Sequence, residues 1–203
     1  YKKLIRSLVT MRKENPNLLK FLIASAVYRD GLNGVFAYGA VLGGIAFGLD
    51  LTEIILFGIA ANIVAGIGAF VGSFFEDRVG SRKIIFVSLV GVIVGGFGVF
   101  VFESAGTIAF FSFGLFLCPF VGPAQAASRT MMSRLSADDK QGEAFGLYAT
   151  TGRAVSFLAP AAWAIFVGLF SPIYGILGLM LILVVGLLLL ISVRAVAAPA
   201  ATN

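Results

Sequence analysis

The sequence predicts an all-α membrane protein: six transmembrane helices arranged as two inverted three-helix repeats. Three observations carry this. Hydrophobic residues fill 59% of 203 positions and charged residues only 12%, which excludes an ordinary water-soluble domain. Six apolar stretches follow one another at 18–48, 52–75, 84–102, 107–132, 144–168 and 173–193, and each reaches the ~20 residues a helix needs to cross ~30 Å of hydrocarbon. The third and sixth stretches hold no charge, whereas the first, fourth and fifth hold Arg29, Asp30, Arg129 and Arg153, with Asn33 and Gln125 beside them. A polar first helix and an apolar third helix, occurring twice, fit a repeated triple.

Along the chain, residues 1–17 read as a basic cytoplasmic linker, 18–193 as the membrane domain and 194–203 as a cytoplasmic tail. The first stretch would make a helix of ~46 Å, so it tilts or extends beyond the bilayer. Within it Asp30 and Asn33 are three apart and Arg29 and Asn33 four apart, so they share a helix face. The second and third carry Gly68-x-x-x-Gly72 and Gly91-x-x-x-Gly95, spacings that let helix backbones approach closely inside one chain. In the fourth, Gln125 and Arg129 stack at four, and Pro119 and Pro123 each free a carbonyl. Asp138, Asp139 and Glu143 open the fifth, where the helix dipole favours negative charge. Thr150, Arg153 and Ser156 then recur every three residues as a polar stripe, and Pro160 removes the hydrogen bond to the Ser156 carbonyl.

Orientation follows from charge. Six helices put both termini on one side, and that side collects twelve of the fifteen bases, among them Lys20, Arg78, Arg82, Lys83, Arg134 and Arg194. The opposite connections hold only Asp50, Glu53 and Glu103. This bias places both termini in the cytoplasm. It also explains the net charge of +5 without nucleic acid. There is no His, and Cys118 stands alone inside a span, so no metal site, cofactor or intrachain disulfide is expected. Nor does any nucleophile sit beside an evident base, so no catalytic residue is expected and the chain reads as a non-enzyme.

Ionisable groups inside a membrane are costly and face a protein interior or a water-filled path. Asp30, Asn33, Gln125, Arg129 and Arg153 are therefore the candidate substrate-binding residues of a transporter. The arginines suit an anionic or zwitterionic group, and Asp30 a proton or an ammonium group. The competing reading is a static pair in which Asp30 neutralises Arg29, Arg129 or Arg153. At the level of function, the competitor is a non-transporting scaffold or assembly subunit that retains the same fold.

The loop after the second helix, Ser73-Phe-Phe-Glu-Asp77-Arg78-Val-Gly80-Ser-Arg82-Lys83, resembles the major facilitator superfamily signature G-x-L-x-D-R-x-G-R-[RK]. Asp77, Arg78, Gly80 and the Arg82-Lys83 pair match, Phe75 replaces Leu, and Ser81 shifts the final basic run by one. The resemblance implies gating: these contacts latch helices in one transport state, with Asp77 near the start of the fifth helix and in reach of Arg129 or Arg134. The runs Tyr28-Arg-Asp30-Gly31, Gly122-Pro123-Ala-Gln125 with Ser128-Arg129, and Phe145-Gly-Leu-Tyr148 through Gly152-Arg153 and Pro160 resemble one branch of that superfamily. It is the branch of the fungal autophagy-related vacuolar amino-acid effluxers and their bacterial permease relatives. At the basic position of the fifth helix this chain has Arg153 where relatives often have Lys.

The resemblance covers almost all of the chain and matches the C-terminal six-helix half of a twelve-helix member. It implies secondary active transport of a small polar solute, with an amino acid as one candidate, by alternating access and with no bound cofactor. The expected partners are the solute, a coupling proton, the lipid bilayer, and an N-terminal six-helix half encoded before Tyr1 or an equivalent half; the expected location is a bacterial plasma membrane.

Overall fold

The computed structural model describes residues 15–136 and 141–194. Most of the expected linker, Asp138, Asp139 and Lys140, and the tail beyond Arg194 lie outside the described residues. The described chain is helical throughout: α1 Pro16–Phe47, α2 Leu51–Val79, α3 Ser81–Val101, α4 Thr107–Leu135, α5 Gln141–Ala154, α6 Leu158–Leu169 and α7 Gly175–Ile191. Among them five stretches are long and apolar enough to cross a membrane, α5 and α6 together forming one of 29 residues. α1 is not one of the five: its 32 residues include Lys20, Arg29, Asp30 and Asn33.

Helix ends follow local chemistry. Pro16 opens α1, and the Asn15 side chain accepts the Leu18 N–H at 3.1 Å. α1 stops at Gly48, whose φ of +68° allows Leu49 N–H to donate back to Gly43 O at 3.0 Å. Asp50 and Glu53 then form a reciprocal capping box that starts α2. Gly80, at φ +87°, makes the tight turn into α3.

The packing reproduces the two triples. α1 packs on α7, α6 and α5, while α4 packs on α3 and α2, and α3 packs on α7. Each triple therefore lays its second and third spans against the first span of the other triple, the exchange that a pseudo-two-fold axis between inverted repeats requires. α4 runs unbroken through Pro119 and Pro123. Both prolines lie against glycines of α2: a Cβ on Gly72 would sit 2.5 Å from Pro123 Cβ, and one on Gly68 would collide with the Pro119 backbone. The glycine spacing serves packing within the chain.

The fifth span departs from the uninterrupted helix expected over 144–168. It breaks at 155–157 into α5 and α6. Pro160 has no N–H for the Ser156 carbonyl, and the chain re-forms its hydrogen bonds from Leu158 N–H to Val155 O at 3.0 Å and Ala161 N–H to Phe157 O at 3.0 Å.

Candidate functional site

Successive residues of a helix point ~100° apart, and residues 28–30 of α1 use this to reach three neighbours. The fully buried Tyr28 hydroxyl meets Ser128 Oγ on α4 at 2.6 Å. Ser128 gives its own proton to Ala124 O at 2.5 Å, so Tyr28 is the donor between them. Arg29 reaches α5, where its guanidinium lies 3.9 Å from the Tyr148 ring centroid and Nη1 donates to Tyr148 O at 3.4 Å. Asp30 is buried, and its Oδ2 accepts the Ala159 N–H at 2.7 Å, in the first turn of α6.

Asp30 therefore caps a half-helix that begins inside the membrane. One of the orphan N–H groups of α6 is removed by Pro160, and Asp30 satisfies another. Among the described residues the ion pair within 4.0 Å is Arg134 with Asp77, so Asp30 does not form the pair with Arg29, Arg129 or Arg153 that the sequence allowed. Its negative charge is set against the positive end of the α6 dipole instead. Arg153 occupies the complementary place, in the last turn of α5, and its carbonyl accepts Ser156 Oγ at 2.9 Å.

The other predicted groups are accessible on α1, α4 and α5. Asn33 on α1, Arg129 on α4 and Arg153 on α5 are exposed and Gln125 is half-buried, and α1, α4 and α5 contact one another. Thr150 is also exposed, with its hydroxyl turned back onto Gly146 O at 2.7 Å. Toward the C-terminal end of α1 from Asp30, a cavity of about 170 Å³ lies between α1, α2, α3, α4, α6 and α7, lined by apolar residues with Tyr38, Asn62, Cys118 and Trp163.

At the α2–α3 turn the side chains predicted to gate divide. Asp77 is 87% exposed and approaches Arg134 Nη2 at 3.7 Å. Arg78 lies over the Phe74 ring at 4.9 Å, Arg82 Nη2 donates to Ile191 O at 2.9 Å, and Lys83 is exposed. The tighter contacts are made by residues the motif did not single out. Buried Glu76 accepts the Ser81 hydroxyl at 2.6 Å, and Arg134 Nη1 donates to that same Ser81 oxygen at 3.2 Å. Ser81, which read as an interruption of a basic run, joins α2, α3 and α4. Sequence reasoning also passed over Tyr28, Ser128 and Tyr148 as site members, although each is a polar tip within a span.

The family model of the vacuole effluxer Atg22-like proteins matches residues 1–199. This chain belongs to that family. The Atg22-like chain is thus an integral membrane protein with the fold of a half major-facilitator transporter, in a family of transmembrane transporters and not of enzymes. No curated protein gives a significant match.

Proposed function

We propose that this Atg22-like chain is the C-terminal half of a secondary transporter that moves a small polar solute, of the amino-acid type, by alternating access. The observation that carries the reading is the exposure of Asn33, Arg129 and Arg153, with Gln125 beside them, on three helices that touch one another around a break in a membrane span. Left against lipid, each central charge costs ~2.5–3.5 kcal/mol on insertion scales. A second six-helix half facing α1, α4 and α5 would enclose these groups in a watered cavity. Arg153 and Arg129 would hold a carboxylate, and Asn33 and Gln125 would orient it. Asp30, committed to the α6 backbone, would support the site from behind, where the sequence alone suggested a proton or ammonium site. The α2–α3 turn would gate the cytoplasmic mouth, with Asp77, Arg78, Gly80, Arg82 and Lys83 around the Glu76–Ser81–Arg134 contact. Both termini would lie in the cytoplasm, on the charge bias of the loops, and the bacterial plasma membrane remains the expected location.

The test is uptake of a panel of amino acids and small carboxylates by the full-length protein in liposomes. Saturable uptake of at least one solute is expected, abolished by Arg153→Ala and partly kept by Arg153→Lys, which retains charge but not the planar fork. A folded protein that moves none of the panel would favour the scaffold reading, and an Arg153→Ala variant as active as wild type would remove Arg153 from the binding site.

A further inference from the structure

Arg29 and Asp30 are consecutive, and they hold opposite sides of the break at 155–157. Asp30 takes the α6 side through a backbone amide at 2.7 Å, a contact independent of the side chain at position 159. Arg29 takes the α5 side through the Tyr148 ring and carbonyl. The two grips differ in rigidity. Beyond Asp30, Gly34 lies so close to Ala159 that a Cβ there would come within 2.7 Å of the Ala159 Cβ. A turn further, Tyr38 stacks on Trp163 with ring centroids 4.8 Å apart. α6 is thus fastened to α1 at three successive levels, and it packs on α7 as well. α6 buries Ala159 and Trp163 and α5 buries Ala144, Leu147 and Tyr148, so the two differ in the kind of contact at Arg29 and Asp30: the guanidinium of Arg29 lies over a ring with a long 3.4 Å hydrogen bond, a contact with little directional constraint.

We infer that Arg29 and Asp30 form a clamp across the interrupted fifth span, in which Asp30 fixes α6 to α1 as one unit and Arg29 holds α5 in a contact that can slide as α5 pivots at residues 155–157. In this device Asp30 is a positioning residue acting as a helix cap supplied from another helix, and its charge is secondary to its acceptor oxygen. The purpose rests on the transport reading above, since a pivot matters only in a protein that cycles. The contacts themselves can be measured without solute.

The experiment uses the full-length protein in lipid nanodiscs. Amide hydrogen exchange is read at Ala159, with α3 amides as the internal reference. Asn places an amide oxygen where Asp has its carboxylate oxygen, so Asp30→Asn should keep Ala159 protection within ~3-fold of wild type, while Asp30→Ala speeds exchange there by about tenfold or more. Unchanged exchange in Asp30→Ala, or exchange in Asp30→Asn as fast as in Asp30→Ala, would overturn the cap. If Asp30→Ala does not accumulate, the Asn variant decides: it must accumulate and protect Ala159, and failure to do either refutes the device. The α5 grip is read by spin-label distance between Thr150 and Ile165. Tyr148→Phe should keep the wild-type distribution and Tyr148→Leu should broaden it; equal distributions in all three would remove Arg29 from the clamp. An uptake failure with these results intact would remove transport and leave the clamp standing.

Discussion

α2 and the α5–α6 span occupy equivalent places in the two repeats, yet they are held in opposite ways. α2 is one helix of 29 residues, fitted to α4 by Gly68 and Gly72 lying on Pro119 and Pro123. α5–α6 is broken at 155–157 and tied to α1 by a cation over an aromatic ring and a carboxylate on a backbone amide. Apolar close packing is short-ranged and leaves one arrangement favoured. Polar contacts at a helix break leave backbone groups that can exchange partners. One pseudo-symmetric fold thus has a fixed second span and an articulated fifth span, and the ionisable groups gather at the articulated one.

Four substitutions probe that difference. The largest effect is expected on the fixed side. Gly68→Leu drives a side chain into the Pro119 backbone and should cost about 3 kcal/mol, enough to strip folded protein from the membrane. Abundance and thermal melting of the full-length variant check this, and normal abundance would show that α2 can move away from α4. At the α2–α3 turn, Ser81→Ala removes the donor of buried Glu76 and should lower stability by about 1–3 kcal/mol, read as a drop in melting temperature. On the articulated side, Pro160→Ala restores an N–H that the Ser156 carbonyl can accept. It should straighten the span and cut solute turnover by about tenfold, a rate loss equivalent to ~1.4 kcal/mol in the barrier, with a lower melting temperature because buried Asp30 loses the Ala159 N–H. A variant as fast as wild type would mean the break is not used. The smallest effect is expected for Asp77→Asn, because an exposed pair at 3.7 Å contributes about 0–1 kcal/mol. A loss of turnover larger than that of Ser81→Ala would return the gate to the signature aspartate.

Much of the fold was legible because membrane spans are written in composition. The polar first and fourth helices and the apolar third and sixth marked out two triples, and in the structure the second and third spans of each triple pack on the first span of the other. The break in the fifth was half legible: Pro160 announces a lost hydrogen bond, but the sequence does not say that three residues leave the helix. The role of Asp30 was hidden for a physical reason. Its partner is the main-chain N–H of Ala159, available only once α6 starts afresh, and no side chain at position 159 marks it. Pairing charge with charge therefore pointed to the arginines. Ser81 was hidden similarly, since its value lies in bridging Glu76 to Arg134 from a separate helix, which a motif counted along one loop cannot show.

The central claim is that α1 and α5 line a path open in turn to each side of the membrane, while the outer face of α2 does not. It is tested most directly by thiol accessibility in a cysteine-free full-length protein in sealed vesicles, with single cysteines at Asn33, Thr150 and Ile63. All three positions are exposed in this six-helix half, and Ile63 lies on α2. A membrane-impermeant maleimide should label Asn33→Cys and Thr150→Cys when added to either side, and Ile63→Cys from neither. Labelling of the first two from one side only, or from neither, would contradict alternating access through this site.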